Sequence, residues 1–162
     1  MSDNFTNDIN HQLQKQVDSA ISLRCRQPRD LEVVSSLLQD ALVSNADLLF
    51  EKTKNSFFFV ANRFCWESVT KISGDKSYYR VLSGVNIQNV ISVKHQNLTQ
   101  HNEGNAALFY NLLTIEYDND KNEVMLVFSK KVSAKLTVYE LDIFIRDIAE
   151  PYPTTQLPNH FA

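Results

Sequence analysis

One stretch constrains the fold more than any other. Phe57 to Glu67 reads Phe-Phe-Phe-Val-Ala-Asn-Arg-Phe-Cys-Trp-Glu and holds the only tryptophan and four of the ten phenylalanines. As a strand it alternates Phe57, Phe59, Ala61, Arg63 and Cys65 against Phe58, Val60, Asn62, Phe64 and Trp66, because side chains repeat with period 2. Both faces are largely apolar. A strand wet on one side carries polar residues at alternate positions, so this one is expected at the centre of a sheet, covered on both faces.

The rest of the composition sets bounds. With 162 residues, the chain is long enough for one domain with a proper core. A net charge of −3 removes the broad positive field by which nucleic-acid binders displace counterions, so no nucleic-acid partner is expected. Cys25 and Cys65 match neither a paired zinc spacing nor a disulfide framework and are expected reduced and buried. No apolar run approaches the length of a membrane span. The N-terminus lacks the basic start and apolar core of a signal peptide, which makes the cytoplasm the expected location. Three scattered glycines build no phosphate-cradling loop, and no cofactor is expected.

Along the chain, residues 1–19 are polar and read as a disordered or fraying lead-in, residues 20–150 as a single α+β domain, and residues 151–162 as a C-terminal tail. Ser22 to Arg26 alternates as a short strand. Pro28 suits a first helical turn, and Leu31, Val34, Leu37, Leu38, Ala41 and Leu42 recur at steps of three and four, predicting a helix from Pro28 to Val43. Ala46 to Lys52 then turns through Thr53, Lys54 and Asn55 into the aromatic strand, a hairpin. Ser68 to Ser77 reads as a loop, and Tyr78 to Val85 and Val90 to His95 as two strands joined at a bend. Ala106 to Asn111 suggests a helical turn. Leu112 to Tyr117, Glu123 to Ser129 and Val132 to Tyr139 form a meander. Leu141, Phe144, Ile145 and Ile148 mark a C-terminal helix ended by Pro151 and Pro153. The expected class is therefore α+β: a mainly antiparallel sheet or partly closed barrel of about seven strands, with a helix near each end.

Several blocks carry a family resemblance: Asp30-Leu31-Glu32-Val33-Val34, Leu38-Gln39-Asp40-Ala41, Ala61-Asn62-Arg63-Phe64 with Trp66-Glu67, Val90-Ile91-Ser92-Val93, and Pro151-Tyr152-Pro153-Thr154. From about Leu23 onward, the chain resembles a bacterial family catalogued as domain of unknown function 2948. That resemblance implies a small soluble bacterial protein and assigns no activity, ligand or site residue. The order of strands from Ala46, followed by one helix, also resembles a pleckstrin-homology-like barrel in which the last helix plugs one end. The helix from Pro28 would then be an addition.

The polar members of the aromatic stretch, Asn62, Arg63 and Glu67, are the candidate binding residues. A charge among aromatics is either paired or reaches solvent. Arg63 is expected to meet a helix carboxylate, with Asp40, Glu32 and Asp147 as candidates, or else to bind an anion with Asn62 as a second donor. Cys65 lacks a neighbouring base and reads as a buried structural thiol. Asp118, Asp120 and Asn122 imitate the start of a calcium loop, but the sixth position is Glu123 instead of Gly and the twelfth is Ser129 instead of Glu, so a hairpin turn is expected. His11, His95, His101 and His160 never pair at ligand spacing, and no metal site is expected. Lys52, Lys54, Arg80 and Lys94 are expected as solvated surface in preference to a mouth for anionic lipid.

No catalytic spacing appears, so the expected function is a non-enzymatic binding or scaffold domain whose partner is a protein or peptide added at a sheet edge. A small enzyme with a site assembled around Arg63, and a structural homo-oligomer, are the competing readings.

Overall fold

A computed structural model of the chain describes residues 20–68 and 78–158. The expected lead-in over 1–19, most of the loop from Ser68 to Ser77, His11 and His160 lie outside the described residues. The strands are β1 (Ser22–Cys25), β2 (Ala41–Ser44), β3 (Leu49–Glu51), β4 (Ser56–Phe64), β5 (Tyr78–Ile87), β6 (Val90–Gln96), β7 (Phe109–Asp118), β8 (Glu123–Phe128), β9 (Ser133–Val138), β10 (Ile143–Asp147) and β11 (Tyr152–Thr154). They make one 11-stranded sheet in the order β1-β10-β5-β4-β2-β7-β8-β9-β6, with β3 added to β4 and β11 to β5. All pairings are antiparallel. The sheet is open, because β1 and β6 end it and do not pair with each other.

This corrects the expected α+β class of about seven strands with a helix near each end. Among the described residues there is one α-helix, α1 (Leu31–Leu37), seven residues long and entered through a 3-10 turn at Pro28–Asp30. Ala41 and Leu42 fit the helical spacing equally well, but Asp40 has φ 61° and ends the helix, and Ala41–Ser44 then inserts between β4 and β7. The C-terminal helix is absent. Ile143–Asp147 is instead a strand between β1 and β5, with Ile143 and Ile145 fully buried and Phe144 and Arg146 turned outward. A short apolar run satisfies both periods, and β-branched residues flanked by two partner strands resolve it toward the sheet. Residues expected to begin a helical turn at Ala106 lead directly into β7. Tyr152–Thr154, expected as tail, extends the edge of β5.

The aromatic strand is central, paired with β5 on one side and with β2 and β3 on the other. Its inward set Phe57, Phe59, Ala61 and Arg63 is buried. Its outer set is covered only in part. Phe58 lies half-buried over Gly84, where a Cβ would stand 3.3 Å from its ring, while Phe64 is sealed by Trp66 at 4.6 Å and Tyr78 at 5.8 Å.

The inner face of the curled sheet forms one core from Cys25 of β1 round to Leu136 and Val138 of β9. Leu31 and Val34 of α1, with Leu38 beyond it, join that core, so the helix that covers it comes from the N-terminal half of the chain. β6 returns toward β3 without pairing with it. The Val90 N–H donates to the Asn55 carbonyl at 2.8 Å and pins this seam at one point, beyond which the two edges diverge.

Candidate functional site

Among the described residues, Arg63 is the largest fully buried side chain, 1% exposed. Register makes this so: Arg63 opposes Val81, and Ala61 opposes Ser83, which in turn opposes Asp147 on β10, all directed inward at one end of the sheet. Its Nε donates to Asp147 Oδ1 and Ser83 Oγ, both at 3.1 Å, and its Nη2 to Asp147 Oδ2 at 2.8 Å. Nη1 and Nη2 grip Glu67 as a fork at 3.0 and 2.9 Å. The Ser83 hydroxyl donates to Asp147 Oδ1 at 2.6 Å, and the Ile21 N–H donates to Asp147 Oδ2 at 2.9 Å.

Burial works against both charges. It lowers the Arg63 pKa, but bonds to Asp147 and Glu67 outweigh this and hold the guanidinium above its ordinary value. It raises that of Asp147, but bonds from Arg63, Ser83 and the Ile21 N–H outweigh this and hold the carboxyl below its ordinary range. A buried charge is tolerated when it is paired and its remaining hydrogen-bonding capacity is met. The partner is thus Asp147, on a strand and not on a helix, joined by Glu67 four residues on. Asn62 does not join them. It points to the opposite face and donates to the Tyr152 hydroxyl at 2.7 Å. Of the three candidate binding residues, the fold brings Arg63 and Glu67 together and separates Asn62.

The other flagged residues take structural positions. Cys65 is buried, and its thiol is pushed up to about 11 by desolvation, against the pull of Arg63. Cys25 is raised chiefly by burial, and its thiol donates to the Gln27 carbonyl at 3.3 Å. Asp118 Oδ1 accepts the N–H groups of Asp120 and Lys121, closing the β7–β8 turn. Lys54 pairs with Glu51 at 3.3 Å, and Arg80 donates to the Asn62 carbonyl at 3.0 Å with its guanidinium 6.0 Å from the Phe64 ring centroid.

Sequence reasoning missed a groove of about 540 Å³ between α1 and the second half of β7. It arises because β2 is short. β2 accompanies β7 only from Phe109 to Leu112, ending where the Asp40 N–H meets the Leu112 carbonyl at 2.8 Å. A bulge follows between Leu112 and Thr114. From there to Asp118, β7 pairs with β8 on one side and faces α1 on the other. The Ile115 N–H points into the groove and is met by Ser35 Oγ at 3.1 Å. Backbone groups alternate sides along an antiparallel strand, so the Ile115 carbonyl and both backbone groups of Tyr117 face the same way. The charged residues lining the groove, Glu32 and Glu116, are both acidic and exposed. The sequence signal was an early end to the helix, hidden because Ala41 and Leu42 continued its spacing.

The sequence profile of a family described as "Protein of unknown function (DUF2948)" matches residues 21–160. No curated protein and no solved structure matches the chain. Among the described residues, no helix is long and apolar enough to cross a membrane.

Proposed function

The chain belongs to the DUF2948 family of proteins of unknown function, and we propose that it is a non-enzymatic binding domain that takes an extended peptide as an added strand beside β7. The observation that carries this reading is the unpaired half-edge of β7 facing α1, from Leu113 to Asp118. An exposed strand edge offers a row of main-chain donors and acceptors, and a flanking groove supplies side-chain selectivity. Ser35 Oγ already satisfies one such donor, as a peptide carbonyl would. Glu32 and Glu116 favour a peptide with basic residues among apolar ones, since complementary charge guides register. The enzyme reading around Arg63 loses its reagent, because the guanidinium bonds inward to Asp147, Ser83 and Glu67.

The test is an array of ten-residue peptides that alternate apolar and basic residues, with acidic counterparts as controls, followed by amide NMR titration of the full chain. Basic peptides should shift Ser35, Ile115 and Tyr117 most, and Glu116→Lys should weaken them. Equal binding of acidic peptides, or shifts that leave α1 and β7 untouched, would overturn the reading.

A second reading is self-association through the outer face, favoured by Leu82, Phe144 and Ile148 standing 37–53% exposed beside Gly84. Sedimentation at two concentrations tests it, and an unchanged monomer would exclude it.

A further inference from the structure

The seam between β3 and β6 holds a second concavity, distinct from the α1–β7 groove and independent of it. Beyond the Val90–Asn55 pin the two edges separate into a cleft of about 460 Å³. Its floor is the buried Phe57 of β4 and Ala134 of β9, and its walls are the half-buried Leu48, Phe50, Val93 and Leu98. The polar groups sit at the rim: His95 of β6, with Gln100 and His101 from the connection to β7, all three exposed. No carboxylate is among its lining residues.

The connection that closes the cleft is anchored on Asn45, besides the bond from the Asn97 amide nitrogen to the Lys131 carbonyl at 2.9 Å. Asn45 is 8% exposed, and its amide nitrogen donates to the Thr99 carbonyl at 2.8 Å. Its amide oxygen accepts the Leu108 N–H at 2.9 Å, while its own backbone N–H donates to the Leu108 carbonyl at 2.9 Å. The segment carrying Leu98, Gln100 and His101 therefore hangs from a buried side chain at both ends. A preformed apolar cavity in this size range, with a few convergent polar groups at its mouth, is the usual form of a small-molecule site.

We propose that this cleft binds a small amphiphilic carboxylate, with its apolar body on Phe57 and Ala134 and its head between His95 and His101. Each imidazole donates at least one N–H in either charge state, and neither meets a competing acid in the lining. An amine head finds no anion there, and an alcohol head meets the imidazole donors without the negative charge that strengthens the bond. The cleft is lined by side chains of β3, β4, β6, β9 and the β6–β7 connection, which separates this site from the β7 edge.

Decanoate, 1-decanol and decylamine are titrated into the full chain and followed by amide NMR and calorimetry. Decanoate should shift Phe50, Val93 and Leu98, bind more tightly than 1-decanol, and exceed decylamine by at least about tenfold, the scale of one charge-assisted bond. His95→Ala with His101→Ala, both at exposed positions, should remove decanoate's advantage over 1-decanol. Asn45→Ala should weaken both ligands by loosening the segment, and circular dichroism establishes that each variant is folded. Failure of decanoate to bind at millimolar concentration, equal affinity for the three heads, or shifts centred on Ser35 and Tyr117 would overturn the proposal.

Discussion

Arg63 and Asp147 are 84 residues apart in the chain, yet Arg63 Nη2 donates to Asp147 Oδ2 at 2.8 Å with both side chains under 5% exposed. The pair joins β4 to β10 across β5, and the Ile21 N–H fastens the entry to β1 to the same carboxylate. One ion pair thus ties β4 to β10 and, through Ile21, to the entry of β1. Removing one member of a buried pair leaves the other unmatched in a poor solvent for charge. Arg63→Met is expected to cost about 3–5 kcal/mol of stability. Urea denaturation of Arg63→Met, Asp147→Asn and the double variant should give a coupling of at least about 1 kcal/mol. Additive losses would show that the two residues act independently.

The same carboxylate sets a pH dependence. Asp147 has a folded pKa below its unfolded value, so its contribution is complete above about pH 4 and is lost as pH falls through the folded value. Asp142, lowered by its bond to Arg24, adds a loss of the same sign. The stability gap between the natural chain and Asp147→Asn should therefore narrow between pH 6 and pH 2, as read from urea midpoints. A gap independent of pH would contradict the assignment.

Both thiols should be protected by the fold. Cys65 at about 11 and 3% exposed presents almost no accessible thiolate near pH 8. Iodoacetamide is expected to label Cys25 and Cys65 only at the rate at which the protein opens, with rapid labelling of both in denaturant. Mass spectrometry distinguishes this from selective modification of the folded protein.

The β8–β9 turn stores removable strain. Lys130 and Lys131 have φ of 60° and 61°, and the Val132 N–H donates to the Ser129 carbonyl at 3.2 Å, a primed turn that favours Asn-Gly. Lys131→Gly should stabilise the protein by about 0.5–1 kcal/mol, the cost of a left-handed lysine less the added freedom of glycine in the unfolded chain. Lys130 is left in place because its ammonium lies 5.7 Å from the Tyr110 ring centroid. Calorimetry should place the variant's melting temperature above that of the parent.

The helical spacing from Leu31 to Leu42 reports correctly where the helix begins and misreports where it ends. Residue spacing cannot see that β4 and β7 leave a gap of one strand's width, which Ala41–Ser44 fills. Leu141 to Ile148 fails for the same reason, since its isoleucines match either period until β1 and β5 offer backbone partners on both sides. Phe57 to Phe64, by contrast, was legible as a central strand, as were its hairpin and the meander from β7 to β9, because strong alternation and turn residues are local signals. The need for an Arg63 partner was legible too, and Asp147 was among the candidates. Its seat on a strand, and the separation of Asn62, were not.

The sequence by itself determined an aromatic strand carrying a cation that needs a partner or solvent, a mainly antiparallel sheet and two buried thiols, since these follow from side-chain period, burial cost and composition. Only the tertiary structure decided which carboxylates neutralise Arg63, how early α1 stops, and where β7 and the β3–β6 seam are left without strand partners. Those features depend on which distant strands run out of neighbours, a property of the assembled sheet that no local pattern encodes.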